Sequence, residues 1–457
     1  MSVRILLPLL FMLLLSPMAS AQSLGEALQE CPGTLTGSTE PRQIHLQLTD
    51  NPSKVVVMWA TARRGNAVVE WNGQSADGDS YCYNHDMAFH MASMTDLTPG
   101  EEVTYRVGDG NDWSQEYKFT PIDLEANRFE WIAIADHGDS SEALDVSEAI
   151  IADTTAQMVT ISGDISYADG EQSVWDDWFA NQEASMTRIP WVTAVGNHEN
   201  EPGFEFTPYA HRFDADEVKE GEPFWYSRDF SGVHMVFMST EHDYDSSSVQ
   251  YAALEADLSA ADVNREQRPF IVVIAHKPMY SSNGYHGSEI ALRAAVEELY
   301  QNHGVDLVIA GHDHFYERTW PVYQEEPQSF GGEDGTLFGQ GSGPIHIVAG
   351  NAGRTPYTEM DEPQPAWSAY REVDTFGYMK IIYDGESRSL SFTFHRTDET
   401  IGDQFTIQEG VLNEKMEEQF QFIPGFGTLL PVISLICAAF FRNDSRCCYE
   451  SDMVSCN

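Results

Sequence analysis

Five short apolar runs in this chain end in the same kind of residue, and that repetition narrows what the chain can fold into. Met158-Val159-Thr160-Ile161 leads into Gly163-Asp164-Ile165-Ser166-Tyr167. Trp131-Ile132-Ala133-Ile134-Ala135 ends at Asp136, and Trp191-Val192-Thr193-Ala194-Val195-Gly196 ends at Asn197-His198-Glu199. Phe270-Ile271-Val272-Val273-Ile274-Ala275 ends at His276, and Asp306-Leu307-Val308-Ile309-Ala310-Gly311 ends at His312-Asp313-His314. Runs of this length read as buried strands. A buried Asp or His without a partner is costly, so five polar strand ends are poorly explained as core. Open α/β sheets place their sites along the carboxyl edge, where such ends collect. A single Gly-Asn-His is more often only a turn; the set of five carries the weight.

The donor types suggest a metal. Asp164 has two carboxylate oxygens and can bridge two cations, and Tyr167, three residues on, can reach back as a phenolate. Carboxylate and phenolate are hard anionic ligands that suit trivalent iron better than zinc or copper(I).

In order, the blocks are Asp136-His137-Gly138, Gly163-Asp164-Ile165-Ser166-Tyr167, Gly196-Asn197-His198-Glu199, Val273-Ile274-Ala275-His276 and Gly311-His312-Asp313-His314. They resemble the purple acid phosphatases, within the metallophosphoesterases, whose pattern is D-x-G, G-D-x-x-Y, G-N-H-[DE], V-x-x-H and G-H-x-H. The resemblance covers residues 41–400, in the plant-type two-domain form. It implies a ferric site of Asp136, Asp164, Tyr167 and His314. It implies a second site, for zinc, manganese or divalent iron, of Asp164, Asn197, His276 and His312, with Asp164 as the bridge. His312 and His314 are two apart, so an extended backbone points both to one side and each can serve a different ion. Two ions about 3.5–4 Å apart clamp a phosphate and lower the pKa of bound water. On the resemblance, such a pair would supply a hydroxide able to attack phosphorus in line with the leaving alcohol. His198 and His286 match the family's outer histidines, and imidazolium is available in mild acid, so either can protonate the leaving group. Asp169 reads as a carboxylate that orients a site histidine, or more plainly as a helix N-terminal acid. His137 departs from the family's small or apolar residue; it reads as an extra phosphate contact or as solvent-facing.

The function implied is an exported acid phosphatase acting on phosphomonoesters by a binuclear Fe(III)–M(II) mechanism. One alternative is a phosphodiesterase or pyrophosphatase of the same superfamily, whose members usually lack the tyrosine. Another is a metal-binding, non-catalytic surface protein, which the presence of all seven ligand positions disfavours.

Residues 1–21 read as a secretory signal, with Arg4, an apolar Ile5 to Leu15 and Ala19-Ser20-Ala21 before Gln22. Residues 22–40 form an N-terminal segment. Over 41–122, short strands separated by Gly, Asn, Asp and Pro predict an all-β sandwich, similar to a fibronectin type III module. Its expected strands are Ile44–Leu48, Lys54–Trp59, Ala67–Trp71, Ala88–Met94, Glu102–Val107 and Glu116–Phe119. His45, His85 and His90 read as packed or surface residues. Cys31 and Cys82 either pair or stay free. Over 123–400 strands alternate with amphipathic stretches, which argues for an α/β catalytic domain; the resemblance implies two facing mixed sheets flanked by helices. Phe330 to Gly343 is Gly-rich and reads as a mobile loop. The tail over 401–457 contains an uncharged segment, 422–441, that reads either as a membrane anchor or as a non-native terminus. The charge of −47 argues against nucleic acid or anionic membrane partners and for a solvated acidic surface. Small phosphate esters are the expected partners, and a homodimer is left open.

Overall fold

The computed structural model describes residues 37–82, 86–213, 224–332 and 335–411. The leader over 1–21, the apolar segment over 422–441, Cys31 and His85 lie outside the described residues. Cys82 is disulfide-bonded, and it is the only cysteine among the described residues. No helix among the described residues is long and apolar enough to cross a membrane.

The N-terminal domain is all-β. Its antiparallel strands run in the order Arg42–Leu48, Val55–Thr61, Ala88–Met94, Gln74–Tyr81, Ala67–Trp71, Val103–Gly108 and Tyr117–Phe119. Alternate residues, Val55, Val57 and Trp59 with Val69, Trp71, Val103 and Tyr105, close one core. Gln74–Tyr81 is absent from the sequence expectation. It is polar along most of its length and buries only Tyr81 fully, so it has no apolar alternation to read. It pairs with Ala67–Trp71 through residues 74–78 and with Ala88–Met94 through residues 79–81, so one strand serves both halves of the sandwich. His45 and His90 are packed. His45 bonds the Gln43 and Arg212 carbonyls, and His90 bonds Thr61 and Ser80. Burial pushes both imidazoles down to about 4.

This domain docks on the helix Gln172–Met186 of the next one. Gln43 donates to Asp176 at 2.8 Å, and the Tyr81 hydroxyl donates to the His211 carbonyl at 2.6 Å.

The second domain contains two facing sheets. The first runs Trp191–Ala194, Met158–Ser162, Arg128–Ile134, Gly377–Asp384, Ser389–Arg396, Ile401–Gln408 and Leu337–Gly339. The second runs Tyr226–Phe230, Val233–Phe237, Phe270–Ile274, Leu307–Ala310, Ile345–Ala349, Tyr316–Thr319 and Ser368–Glu372. Both sheets are mixed. The five ligand-bearing strands lie in their parallel portions, so their carboxyl ends fall along one edge. Alternation within the strands builds three layers. Trp131, Ala133, Phe270, Val272 and Ile274 point between the sheets. Ile132, Ile134 and Ile161 point out to the helices Ser141–Ala152 and Gln172–Met186. Ile271, Val273 and Val308 point out to Val249–Val263 and Ile290–Asn302. The strands are apolar on both faces because both faces are covered.

Two boundaries differ from the sequence expectation. The sheet continues through Ile401–Gln408, so the second domain passes the expected limit at 400. Asp403 on that strand accepts hydrogen bonds from Tyr316 at 2.9 Å and Arg318 at 2.6 Å, tying the first sheet to the second. Within the Gly-rich stretch expected to be mobile, Leu337–Gly339 is a strand, parallel to Ile401–Gln408.

Candidate metal centre

Each expected ligand sits two to five residues past a strand end. Asp136, Asp164, Tyr167 and His312 have positive φ, between 53° and 70°. A non-glycine residue held there costs on the order of 1–3 kcal/mol, and such residues persist where surroundings over-determine them. The motif glycines make room for the carboxylates. A Cβ at Gly196 would meet Asp164 Oδ1 at 2.3 Å, and one at Gly311 would meet Asp136 Oδ2 at 2.2 Å.

The seven expected ligands fall into two groups. In the first, Tyr167 Oη lies 3.0 Å from Asp136 Oδ1 and 3.0 Å from His314 Nε2, with His314 Nε2 3.5 Å from Asp136 Oδ1. In the second, His276 Nε2 lies 3.3 Å from Asp164 Oδ1, 3.1 Å from Asn197 Oδ1 and 3.2 Å from His312 Nδ1. Asp164, His276 and His312 offer ligand atoms all within 4.8 Å of one another. Bonds of about 2.0–2.2 Å at angles of 90–109° put neighbouring donor atoms about 2.8–3.6 Å apart. These separations match that spacing.

The chemistry of the donors fits a cation as well. His276 Nδ1 faces the Ser162 carbonyl at 2.8 Å, and His314 Nδ1 faces the Thr355 carbonyl at 2.9 Å. The hydrogen-bond network therefore assigns the proton to Nδ1 in both rings and aims both Nε2 lone pairs inward. They meet carboxylate, amide and imidazole lone pairs, an arrangement that only a shared positive charge satisfies. Burial lowers the His276 imidazole, but Asp164 and Asp136 outweigh it and push it up to about 10. Burial, with Asp136 and Asp164, holds the Tyr167 phenol well above its usual range, so its phenolate needs a cation. Burial, helped by His276 and His286, holds His312 well below the usual imidazole range, neutral and able to donate a lone pair.

The outer residues differ from one another. His198 Nδ1 lies 2.6 Å from Asp169 Oδ1, and its Nε2 is 3.9 Å from Asp164 Oδ2. Asp169 therefore orients a site histidine. His286 is exposed, its ring centroid 4.2 Å from that of His312. His137 takes neither of its two expected places. It is fully buried; Trp178 Nε1–H donates to its Nδ1 at 3.0 Å, and its Nε2 is 3.2 Å from Ser147 Oγ. It supports the first ligand turn from behind.

Sequence reasoning assigned no role to three further residues. Glu199 is fully buried, and its carboxylate accepts the backbone N–H groups of Gly196 at 2.7 Å, Asp164 at 2.9 Å and Ile165 at 2.8 Å. It thus staples the Asp164 loop to the Asn197 loop. Burial and the Asp164 charge push its carboxyl up to about 8, yet both oxygens receive N–H groups, the geometry of the ionised form. Tyr357 stacks on His314, with centroids 4.1 Å apart at 14°. The Arg354 guanidinium lies 3.9 Å over the Tyr167 ring. Glu199 sits inside a quoted motif and was legible as a ligand type; Arg354 and Tyr357 had no local signal.

Comparison with known proteins follows the same lines. Residues 84–316 match the family described as Calcineurin-like phosphoesterase. Residues 41–121 match Purple acid Phosphatase, N-terminal domain, and residues 343–404 match Iron/zinc purple acid phosphatase-like protein C. Acid phosphatase type 7 of Homo sapiens is 30% identical over 382 residues, covering 75% of this chain and 85% of that one. Probable inactive purple acid phosphatase 27 of Arabidopsis thaliana is 31% identical over 358 residues, covering 70% and 57%. The structure of a purple acid phosphatase from yellow lupin seeds superposes with a TM-score of 0.74 at 25% identity, covering 81% of this chain and 75% of that one.

Proposed function

The chain belongs to the purple acid phosphatase family, and on that premise we propose that it is an exported acid phosphatase hydrolysing phosphomonoesters. The observation that carries this reading is the pair of donor groups, Asp136, Tyr167 and His314 in one and Asp164, Asn197, His276 and His312 in the other. Asp136, Asp164, Tyr167 and His314 would hold Fe(III), and Asp164, Asn197, His276 and His312 a divalent ion, zinc, manganese or iron. Such a pair, when bound, neutralises phosphoryl charge and makes water more acidic.

The chain's own residues do the rest. Ser162 and Thr355 carbonyls keep His276 and His314 in the ligating tautomer. Asp169 holds the His198 ring by Nδ1 and so fixes where its Nε2 stands, toward the departing alcohol oxygen it would serve. His286 stands at the exposed mouth, where its imidazole meets the phosphoryl oxygens. The overall change is phosphomonoester plus water to alcohol plus phosphate. Export rests on residues 1–21, and small phosphate esters are favoured over nucleic acid by the −47 charge.

Metal analysis of the purified protein, with turnover of p-nitrophenyl phosphate against bis(p-nitrophenyl) phosphate, tests the proposal. Two metals and a preference for the monoester are expected. Preference for the diester would shift the reading to a phosphodiesterase, and two metals without turnover to a metal-binding, non-catalytic protein. N-terminal sequencing of the mature protein, expected to begin at Gln22, tests export.

A further inference from the structure

In a chain with 72 acidic and 25 basic residues, a guanidinium without an acidic partner is conspicuous. Among the described residues of the catalytic domain, the other lysines and arginines pair with a carboxylate. Arg188 instead donates to the Asp153 carbonyl. Arg354 does neither. Its Nε is buried and without an acceptor among the described residues, and the residue as a whole is only half-buried.

Its position is built rather than incidental. The Arg354 backbone N–H donates to the Asp136 carbonyl at 3.2 Å, and the next residue's carbonyl faces His314 Nδ1 at 2.9 Å. The segment is therefore pinned by two ligand turns of the same metal group. The guanidinium carbon stands 3.9 Å over the Tyr167 ring. Stacking occupies the flat face of a guanidinium and leaves its N–H edge for hydrogen bonds. That edge carries five donors in a fork matched to carboxylate or phosphate. The nearby carboxylates, Asp136 and Asp164, are committed to the donor groups described above. An unpaired fork at the rim of a phosphoryl site is therefore a receptor for an anion that arrives with the substrate.

We propose that Arg354 is a specificity-determining anion subsite, which receives a second acidic group, phosphate or carboxylate, carried by the substrate beside the scissile phosphoryl. This rests on the reading of the centre as a phosphate-ester site. It predicts a preference for esters and anhydrides bearing two neighbouring anionic groups over simple alkyl phosphates.

The test uses the metal-loaded protein and three ligands that are not hydrolysed: methylphosphonate, phosphonoacetate and methylenediphosphonate. Calorimetry compares wild type with Arg354→Gln and Arg354→Lys. Arg354→Gln is expected to weaken a two-anion ligand about tenfold more than methylphosphonate, the loss of one charge-assisted contact. Arg354→Lys should restore part of the difference, because it keeps the charge and loses the fork. An effect confined to phosphonoacetate identifies a carboxylate receptor, and one confined to methylenediphosphonate a phosphate receptor. Equal weakening of all three ligands, or of none, would overturn the subsite. Because these ligands report binding without turnover, failure of the phosphatase reading would appear separately, in the p-nitrophenyl phosphate assay.

Discussion

Glu199 provides the sharpest test of how the centre is held together. Its carboxylate takes three backbone N–H groups, two on Oε2 from Gly196 and Asp164 and one on Oε1 from Ile165. Glu199→Ala strands all three around a fully buried position. Each buried donor left unsatisfied costs about 1–3 kcal/mol, so the loss should reach about 3–9 kcal/mol. Glu199→Gln can keep the Oε2 pair and turns an NH2 toward Ile165 N–H. It should cost about 1–3 kcal/mol, one donor rather than three. The two loops it joins carry Asp164 and Asn197, so their misalignment should also weaken metal binding, about 10–100-fold for a lost supporting contact. Urea unfolding of loaded and chelated protein measures the first effect, and competition with a chromogenic chelator the second. Leu258→Ala is the control. It is fully buried in the helix Val249–Val263 and should cost about 2–5 kcal/mol with metal affinity unchanged. If Glu199→Gln alters stability by less than about 0.5 kcal/mol and leaves metal affinity as in wild type, the staple is refuted.

Three further outcomes are expected. If Tyr167 binds Fe(III), the protein is purple or pink and Tyr167→Phe bleaches it; a colourless wild type with ferric iron at full occupancy would exclude the phenolate. His234 lies between Asp229 at 2.7 Å and Asp257 at 2.9 Å, and although burial opposes its charge, the two carboxylates push it up to about 9. Its folded value is raised above the unfolded one near 6.5, so the stabilisation is whole below pH ~6.5 and is lost as pH rises through ~9. It amounts to about 3 kcal/mol, and unfolding curves of wild type should converge with those of His234→Gln across that window; a constant gap would contradict the ion cluster. Finally, added salt should lower KM for anionic substrates by screening the −47 charge over about 8–10 Å while bound metal is unchanged. A KM that climbs steadily with salt would exclude long-range repulsion.

The ligand set was legible because its signal is local: an apolar run, a turn, then a donor. The alternation of apolar strands with amphipathic stretches made an α/β domain legible, whereas the two facing sheets came only from the family resemblance. The strand Gln74–Tyr81 was not, since polar residues lie along a half-exposed surface and carry no periodicity. His137 was ambiguous because its partners, Trp178 and Ser147, come from two helices that fold behind it. Arg354 was invisible for a different reason. The lack of a carboxylate within reach is a property of everything around a residue, and no neighbouring letter records it.

The facing sheets contribute unlike halves of the centre. The first sheet supplies Asp136, Asp164, Tyr167 and Asn197, and the second supplies His276, His312 and His314. Neither donor group is complete on one sheet. A chain with only one sheet formed holds either acids without imidazoles or imidazoles without acids. Tight loading would therefore be confined to the assembled sandwich, and bound ions would act as rivets, set only when both plates are aligned. By linkage the rivets add their binding energy to closure of the seam rather than to either sheet. In hydrogen exchange, chelation should speed opening at the ligand-bearing strand ends and across the inter-sheet core of Trp131, Phe270 and Ile274, and leave the N-terminal sandwich as it was.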